Sequence, residues 1–319
     1  MSDEIPHAPL TKAQSKLLDA SAHIFGEMAT AKEAAYLPRE LVQVTLPHKN
    51  PGNIPAWKRT NGNLTVGIQP GYDFKNGKSY GYPFGTIPRL LLFWITTEAI
   101  RTNNPRIELG ASLSGFMAEL GLNNANGSSG AKRSDARRLR DQINRLFNAS
   151  ISFVGELERD GRQGVGRINM HVAPKSELWW SQKDPEQAAL WGSWIELGED
   201  FFKAITAYPV PADIRALKAL KRSPLALDLY AWLTYEAFRA HKSGKSRYES
   251  WEQIHGHIGG EYAEIRNFRL KAKAALRKIQ VVYPGLKLGT RRGGVEVLPE
   301  SYPAIQPRTV TIDGICTRL

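Results

Sequence analysis

Cysteine is almost missing from this chain: one residue, Cys316, occurs in 319. An intrachain disulfide and a cysteine-rich zinc site are therefore both excluded, and a reducing compartment fits. Long apolar runs are missing too, since the longest, residues 90–95, is far short of the ~20 residues that span a bilayer. No membrane span is expected. The opening residues carry the acids Asp3 and Glu4 and no basic-then-apolar pattern, which argues against a secretory signal. Acids are also in deficit, with 31 Asp+Glu against 43 Lys+Arg, a net charge of +12 and a pI near 9.7. That balance predicts a cytoplasmic protein whose partner is an anionic polymer.

Aromatic residues are plentiful. Eight Trp, eleven Tyr and eleven Phe within a 42% hydrophobic composition suffice for packed cores, and the length suggests about two domains. Residues 11–28 place Leu17, Leu18, Ile24, Phe25 and Met28 at near-helical spacing, which predicts a short amphipathic helix. Leu41-Val-Gln-Val-Thr-Leu46 and Leu64-Thr-Val-Gly-Ile68 read as strands of a small sheet, and residues 71–85 as loop.

An internal repeat organises the remainder. Trp94-Ile-Thr-Thr-Glu-Ala-Ile-Arg101 matches Trp232-Leu-Thr-Tyr-Glu-Ala-Phe-Arg239 at an offset of 138 residues, and the same offset aligns Ser112 with Ser250 and Gly121 with Gly259. Each copy predicts a long apolar helix (88–102; 224–240), a short helix begun by a Ser N-cap (112–121; 250–258) and a long basic helix (131–149; 262–279). A strand pair follows: 151–154 and 165–172 around the turn 159–164, then 281–288 and 295–298 around 289–294. Three helices and a hairpin give a winged helix. The expected fold is α+β, two tandem winged-helix domains with a small N-terminal β element and helix. Its parts are an N-terminal helix or tail (1–40), a first domain with the small sheet (41–207) and a strongly basic second domain (208–319).

The basic helices carry the chemistry. In the first, Leu139, Ile143 and Leu146 form the core stripe, while Arg133, Arg137, Arg140 and Asn144 line the opposite face, flanked by Lys132, Arg138 and Arg145. Guanidinium groups and an amide in one row suit phosphates and the major-groove edges of guanine and adenine. The ordinary alternative is a solvated charged face. In the second copy, residues 265–295 hold Arg266, Arg269, Lys271, Lys273, Arg277, Lys278, Lys287, Arg291 and Arg292 and no acid. Such density of like charge is relieved by an anion. Arg291 and Arg292, on a Gly-bounded turn, would reach a neighbouring phosphate or minor groove. The expected partner is double-stranded DNA, read over roughly 20 bp by two modules one helical turn apart.

Enzyme signals are weak. Gly71-Tyr-Asp-Phe-Lys-Asn-Gly77-Lys78-Ser79 has five residues between its glycines where a phosphate-binding loop has four. His255 and His257 with Tyr262 could suggest metal-dependent nicking, but two His at i, i+2 point to different helix faces. Glu199 and Asp200 suit a helix start. No catalytic residue, cofactor or metal is expected.

Trp57-Lys-Arg-Thr-Asn-Gly-Asn-Leu64, Tyr80-Gly-Tyr-Pro-Phe-Gly-Thr-Ile-Pro-Arg-Leu90, Leu109-Gly-Ala-Ser-Leu-Ser-Gly-Phe-Met117 and Leu139-Arg-Asp-Gln-Ile-Asn-Arg-Leu-Phe147 complete a series that includes the Trp94–Arg101 motif, Pro209-Val-Pro211 and Leu227-Asp-Leu-Tyr-Ala-Trp-Leu233. Together they resemble the plasmid-encoded RepA-type replication initiator family, over about residues 55–285. The resemblance implies theta-type plasmid replication, with binding to repeated origin sites (iterons), melting of an adjacent AT-rich segment and recruitment of host DnaA and the replicative helicase. It also implies, for many members, repression of their own gene as homodimers. A winged-helix repressor without an initiation role is the alternative that uses the same DNA chemistry.

Overall fold

The computed structural model describes residues 11–119, 122, 135–159, 162–179, 192–305, 309–312 and 315–318. At the N-terminal side, α1 (Lys12–Gly26) starts at a Thr11 capping box with Gln14. Strand β1 (Ala34–Pro38) and a short helix, α2 (Arg39–Gln43), follow. The expected strand over 41–46 is thus replaced by helix and loop. Adjacent Leu41 and Val42 are both buried where α2 meets β1 and the second repeat, so tertiary packing overrides the alternating pattern.

Strands β2 (Trp57–Asn61) and β3 (Leu64–Gln69) form a hairpin, and β4 (Tyr72–Asp73) with β5 (Lys78–Ser79) forms a second, smaller one. The first repeat comprises α3 (Thr86–Thr102), β6 (Arg106–Glu108), α4 (Gly110–Glu119) and α5 (Asp135–Phe147). It continues with β7 (Ser150–Arg159), β8 (Arg162–His171), β9 (Lys175–Glu177) and β10 (Trp194–Glu196). A connector of α6 (Glu199–Ala207), β11 (Pro209–Asp213) and α7 (Ile214–Leu220) leads to the second repeat. That repeat holds α8 (Pro224–Ser243), β12 (Arg247–Ser250), α9 (Trp251–His257), α10 (Ile265–Val282) and β13 (Gly294–Val297).

The repeat motif has the same physical role in both copies. Trp94 and Trp232, Thr96 and Thr234, and Ala99 and Ala237 are all buried. Glu98 pairs with Arg101, and Glu236 with Arg239, one helical turn apart in each case. The register then changes, because α8 is 20 residues long and α3 is 17. Both helices end at a residue in the left-handed conformation, Asn103 (φ 48°) and Gly244 (φ 65°), which are 141 residues apart. The ungapped offset of 138 therefore ends with these helices. Consequently α4 begins at Gly110, two residues before Ser112, whereas Ser250 does cap α9, accepting from the Gln253 N–H.

Strand partners differ from expectation in both copies. Strands β7 and β8 pair with each other, but β7 also pairs with β3, so they complete a four-stranded sheet in the order β2-β3-β7-β8. Beside α4 and α5 the order is β6-β10-β9. In the second copy, α10 continues through Val282, which closes the buried stripe of Phe268, Ala272, Ala275, Leu276 and Ile279. Residues 281–288 are therefore not a strand. Strand β13 pairs with β12, and Leu288 makes a single bridge to Val297. The order β12-β13-Leu288 reproduces β6-β10-β9, with β7–β8 inserted after α5 in the first copy alone.

Two long-range features tie the halves together. Strand β1 pairs antiparallel with β11, and α1 packs on α7 and α10. Arg215 is bound to Asp213 at 2.7 Å and donates to the carbonyls of His23 and Glu27, so it closes the C-terminal end of α1 onto the connector.

Candidate nucleic-acid interface

On α10 the buried stripe turns the charges outward. Arg266, Arg269, Lys271, Lys273, Arg277 and Lys278 are all exposed, as are Lys287, Arg291 and Arg292 in the turn that follows. Leu270 lies among them, 65% exposed. The base of this surface is rigid, because Phe268 is fully buried against the rings of Trp251, His255 and Tyr262. Gly259 lies so close to Phe268 that a Cβ there would overlap the ring. Arg291 lies 3.8 Å over the Tyr248 ring, and the Tyr248 hydroxyl donates to the Arg292 carbonyl at 3.1 Å. Tyr248 thus steadies the turn, a role invisible to a search for basic residues alone.

On α5 the arrangement is narrower. Leu139, Ile143 and Leu146 are buried as expected, joined by Gln142, whose Oε1 accepts from the Phe84 N–H at 2.9 Å. Arg137 and Arg138 are exposed, and Arg140 and Asn144 are half-buried. Arg145 turns toward the protein: it pairs with Asp141 at 2.9 Å, donates to the Tyr82 carbonyl and lies over the Phe84 ring. Lys132 and Arg133 lie outside the described residues.

A buried ionic seam holds the two repeats in one arrangement. Arg89 on α3 donates from Nε and Nη2 to the two oxygens of Asp228 on α8, each at 2.7 Å. Its remaining donors reach the carbonyls of Leu46, Pro47 and Gly85. His48 Nε2 lies 2.8 Å from Asp228 Oδ2. Arg59 on β2 binds Glu261 at the loop between α9 and α10 and donates to the Ile258 carbonyl. Burial alone would raise the Asp228 carboxyl, but the Arg89 guanidinium and then the His48 ring outweigh it and hold the group well below the usual carboxylate range. Burial pushes His48 below its ordinary value against the pull of Asp228. The neutral ring with a proton on Nε2 agrees with Nδ1 having no hydrogen-bond partner, with Glu261 Oε2 3.8 Å away.

The histidine pair does not converge. His257 Nε2 lies 2.8 Å from Glu249, and His255 Nε2 lies 2.8 Å from the Tyr262 carbonyl. Among the described residues there is no group of three or more His, Cys, Asp or Glu able to hold a metal. Glu199 and Asp200 stand in the first turn of α6, with Glu199 paired to Lys203. Among the described residues no helix is long and apolar enough to cross a membrane.

Two copies of one helix-strand-helix-helix unit, each presenting a basic third helix, define a mixed α and β chain with a cationic surface. The chain belongs to the plasmid-encoded RepA protein family, a family of plasmid replication initiators, whose model matches residues 82–253, more than half of its length. That stretch contains the whole first repeat and ends within α9, before the basic α10. No curated protein sequence matches the chain. The solved structures similar to it include two of RctB domains 2 and 3. A selenomethionine derivative aligns with a TM-score of 0.48 at 13% identity, covering 81% of this chain and 97% of that one. The other aligns with a TM-score of 0.46 at 13% identity, covering 81% and 94%.

Proposed function

We propose that the protein is a sequence-specific duplex DNA-binding initiator that reads repeated origin sites with α5 and α10 in successive major grooves. In this reading each repeat is a winged helix. The wing of the second copy is residues 289–294, between Leu288 and β13, as the bridge of Leu288 to Val297 supports. The observation that carries the reading is the run of nine exposed basic side chains and no acid over residues 265–295. Phosphates are the chemistry such a surface fits, and the rigid aromatic base under Phe268 supports its use as a positioned reader.

Local opening of the origin and recruitment of host DnaA and the replicative helicase are part of the same proposal, as the family resemblance implies. The protein would act in the cytoplasm by binding and not by catalysis. Selection from a random 30-bp duplex pool at about 150 mM salt tests the reading. Enrichment of one long non-palindromic motif is the expected result. A palindrome would point to a dimeric repressor, and no enrichment would overturn sequence-specific reading.

A further inference from the structure

The segment that fails as a phosphate-binding loop folds into the β4–β5 hairpin, with Phe74 at its tip. Phe74 is 90% exposed and Tyr72 half-exposed, and their rings meet edge to face with centroids 5.2 Å apart. One exposed aromatic needs no explanation, but two held together on a hairpin tip beside exposed Lys75 and Lys78 form an exposed apolar surface with a cationic rim, with the Phe74 face left open to solvent. The tip's own acid is engaged in local hydrogen bonds. Asp73 is turned into the hairpin, where it accepts from the backbone N–H groups of Lys75 and Asn76 and from the Asn76 side chain.

The position of the hairpin is equally specific. Gly71 at its foot is so close to Asn148 that a Cβ would overlap the Asn148 carbonyl. Asn148 follows α5 directly, and its side chain donates to the Asn144 carbonyl at 2.9 Å. Counting 100° per residue, Asn148 continues the helix row of Arg137 and Asn144. The foot of the aromatic hairpin therefore stands beside the C-terminal end of the row assigned to DNA.

We propose that this hairpin is a base-stacking finger, in which Phe74 takes the face of an unstacked nucleobase at the edge of the bound site while Lys75 and Lys78 hold the adjoining phosphates. The inference rests on the DNA-binding reading above. Stacking on an aromatic side chain is indifferent to base identity, so the finger would hold opened DNA without adding sequence preference.

The test compares binding of the full chain to a 20-nucleotide dT strand and to an abasic strand of equal length, which keeps the phosphates and removes the bases. The wild-type protein is expected to prefer dT by about ten-fold, the scale of one stacked base. Phe74→Ala should bring that ratio to about one, Phe74→Trp should keep it, and Lys75→Ala with Lys78→Ala should weaken both strands alike. Phe74 is solvent-exposed, so its removal leaves the core intact. An unchanged ratio in Phe74→Ala, or no preference in the wild type, overturns the finger. Retained binding to random 30-bp duplex in that case leaves the DNA-binding reading standing, whereas loss of duplex binding by the wild type overturns both.

Discussion

Arg89 and Asp228 meet as a bidentate pair inside the protein, the guanidinium from the first helix of one repeat and the carboxylate from the first helix of the other. Both side chains are almost wholly buried. The relative placement of α5 and α10 depends on this joint, because α3 packs on α5 and α8 packs on α10. A site reader with two modules needs such a fixed spacing.

Breaking the pair leaves an uncompensated buried charge. Arg89→Ala or Asp228→Ala should each lower stability by about 3–5 kcal/mol, read in denaturant unfolding, while a combined Arg89→Met and Asp228→Leu exchange should recover most of the loss. Single substitutions costing less than about 1 kcal/mol would show that the seam does not hold the repeats together.

Acid should act on the same seam. Both His48 and Asp228 have folded values below their ordinary ones, so in each case the unfolded chain takes up the proton first. Stability is therefore fully present above about pH 6.5, starts to fall below that value as unfolded His48 protonates, and falls further below about pH 4 as unfolded Asp228 does. His48→Asn should flatten the upper part of the profile. Melting temperatures from pH 4 to 8 for the two proteins would check this.

For the α10 surface, Arg266→Ala, Arg269→Ala and Arg277→Ala should each weaken DNA binding and reduce the salt slope by about 1 where the side chain meets a phosphate. Arg291→Ala should do the same, and Tyr248→Ala should mimic it in part by releasing the stacked guanidinium. Equal affinity of the triple variant and the wild type across a salt titration would leave these charges as a solvated face.

Arg145 separates packing from binding within α5. Its side chain is engaged by Asp141, Tyr82 and Phe84, so Arg145→Ala should lower the melting temperature while changing specific affinity less than Arg137→Ala does. Arg137→Ala should weaken specific binding by about 1–3 kcal/mol if it reads a base edge. The reverse order in a binding titration would exchange the two roles.

Phe268 and Gly259 provide a core control. Phe268→Ala should cost about 3–5 kcal/mol and Gly259→Ala should destabilise by forcing a Cβ into the Phe268 ring. Circular dichroism melts would report both.

Much of the helical architecture was legible because its information is local. The stripe Leu139, Ile143, Leu146 and the stripe Ile265, Phe268, Ala272, Leu276, Ile279 repeat with the helical period, and all of them became buried except Ile265, which is half-buried at the start of α10. The Trp94 and Trp232 motifs exposed the duplication for a similar reason, since both serve as the same buried helix face. The charge of α10 needed no folding argument at all.

Strand partnership was decided only by the tertiary structure. Residues 150–171 have the alternation and turn of a hairpin, but ladder bonds are made by the backbone, and the pattern carries no label for the partner strand. Thus β7 joins β3, and the short β9 and β10, barely three residues each, take the place beside β6. The seam of Arg89, Asp228, His48, Arg59 and Glu261 was equally invisible, because charges up to 202 residues apart reveal their pairing only when burial removes water as the alternative partner. Composition and periodicity determined which surfaces are cationic and which stripes are core. The folded chain alone determined how two cationic helices are spaced, through contacts that no local pattern encodes.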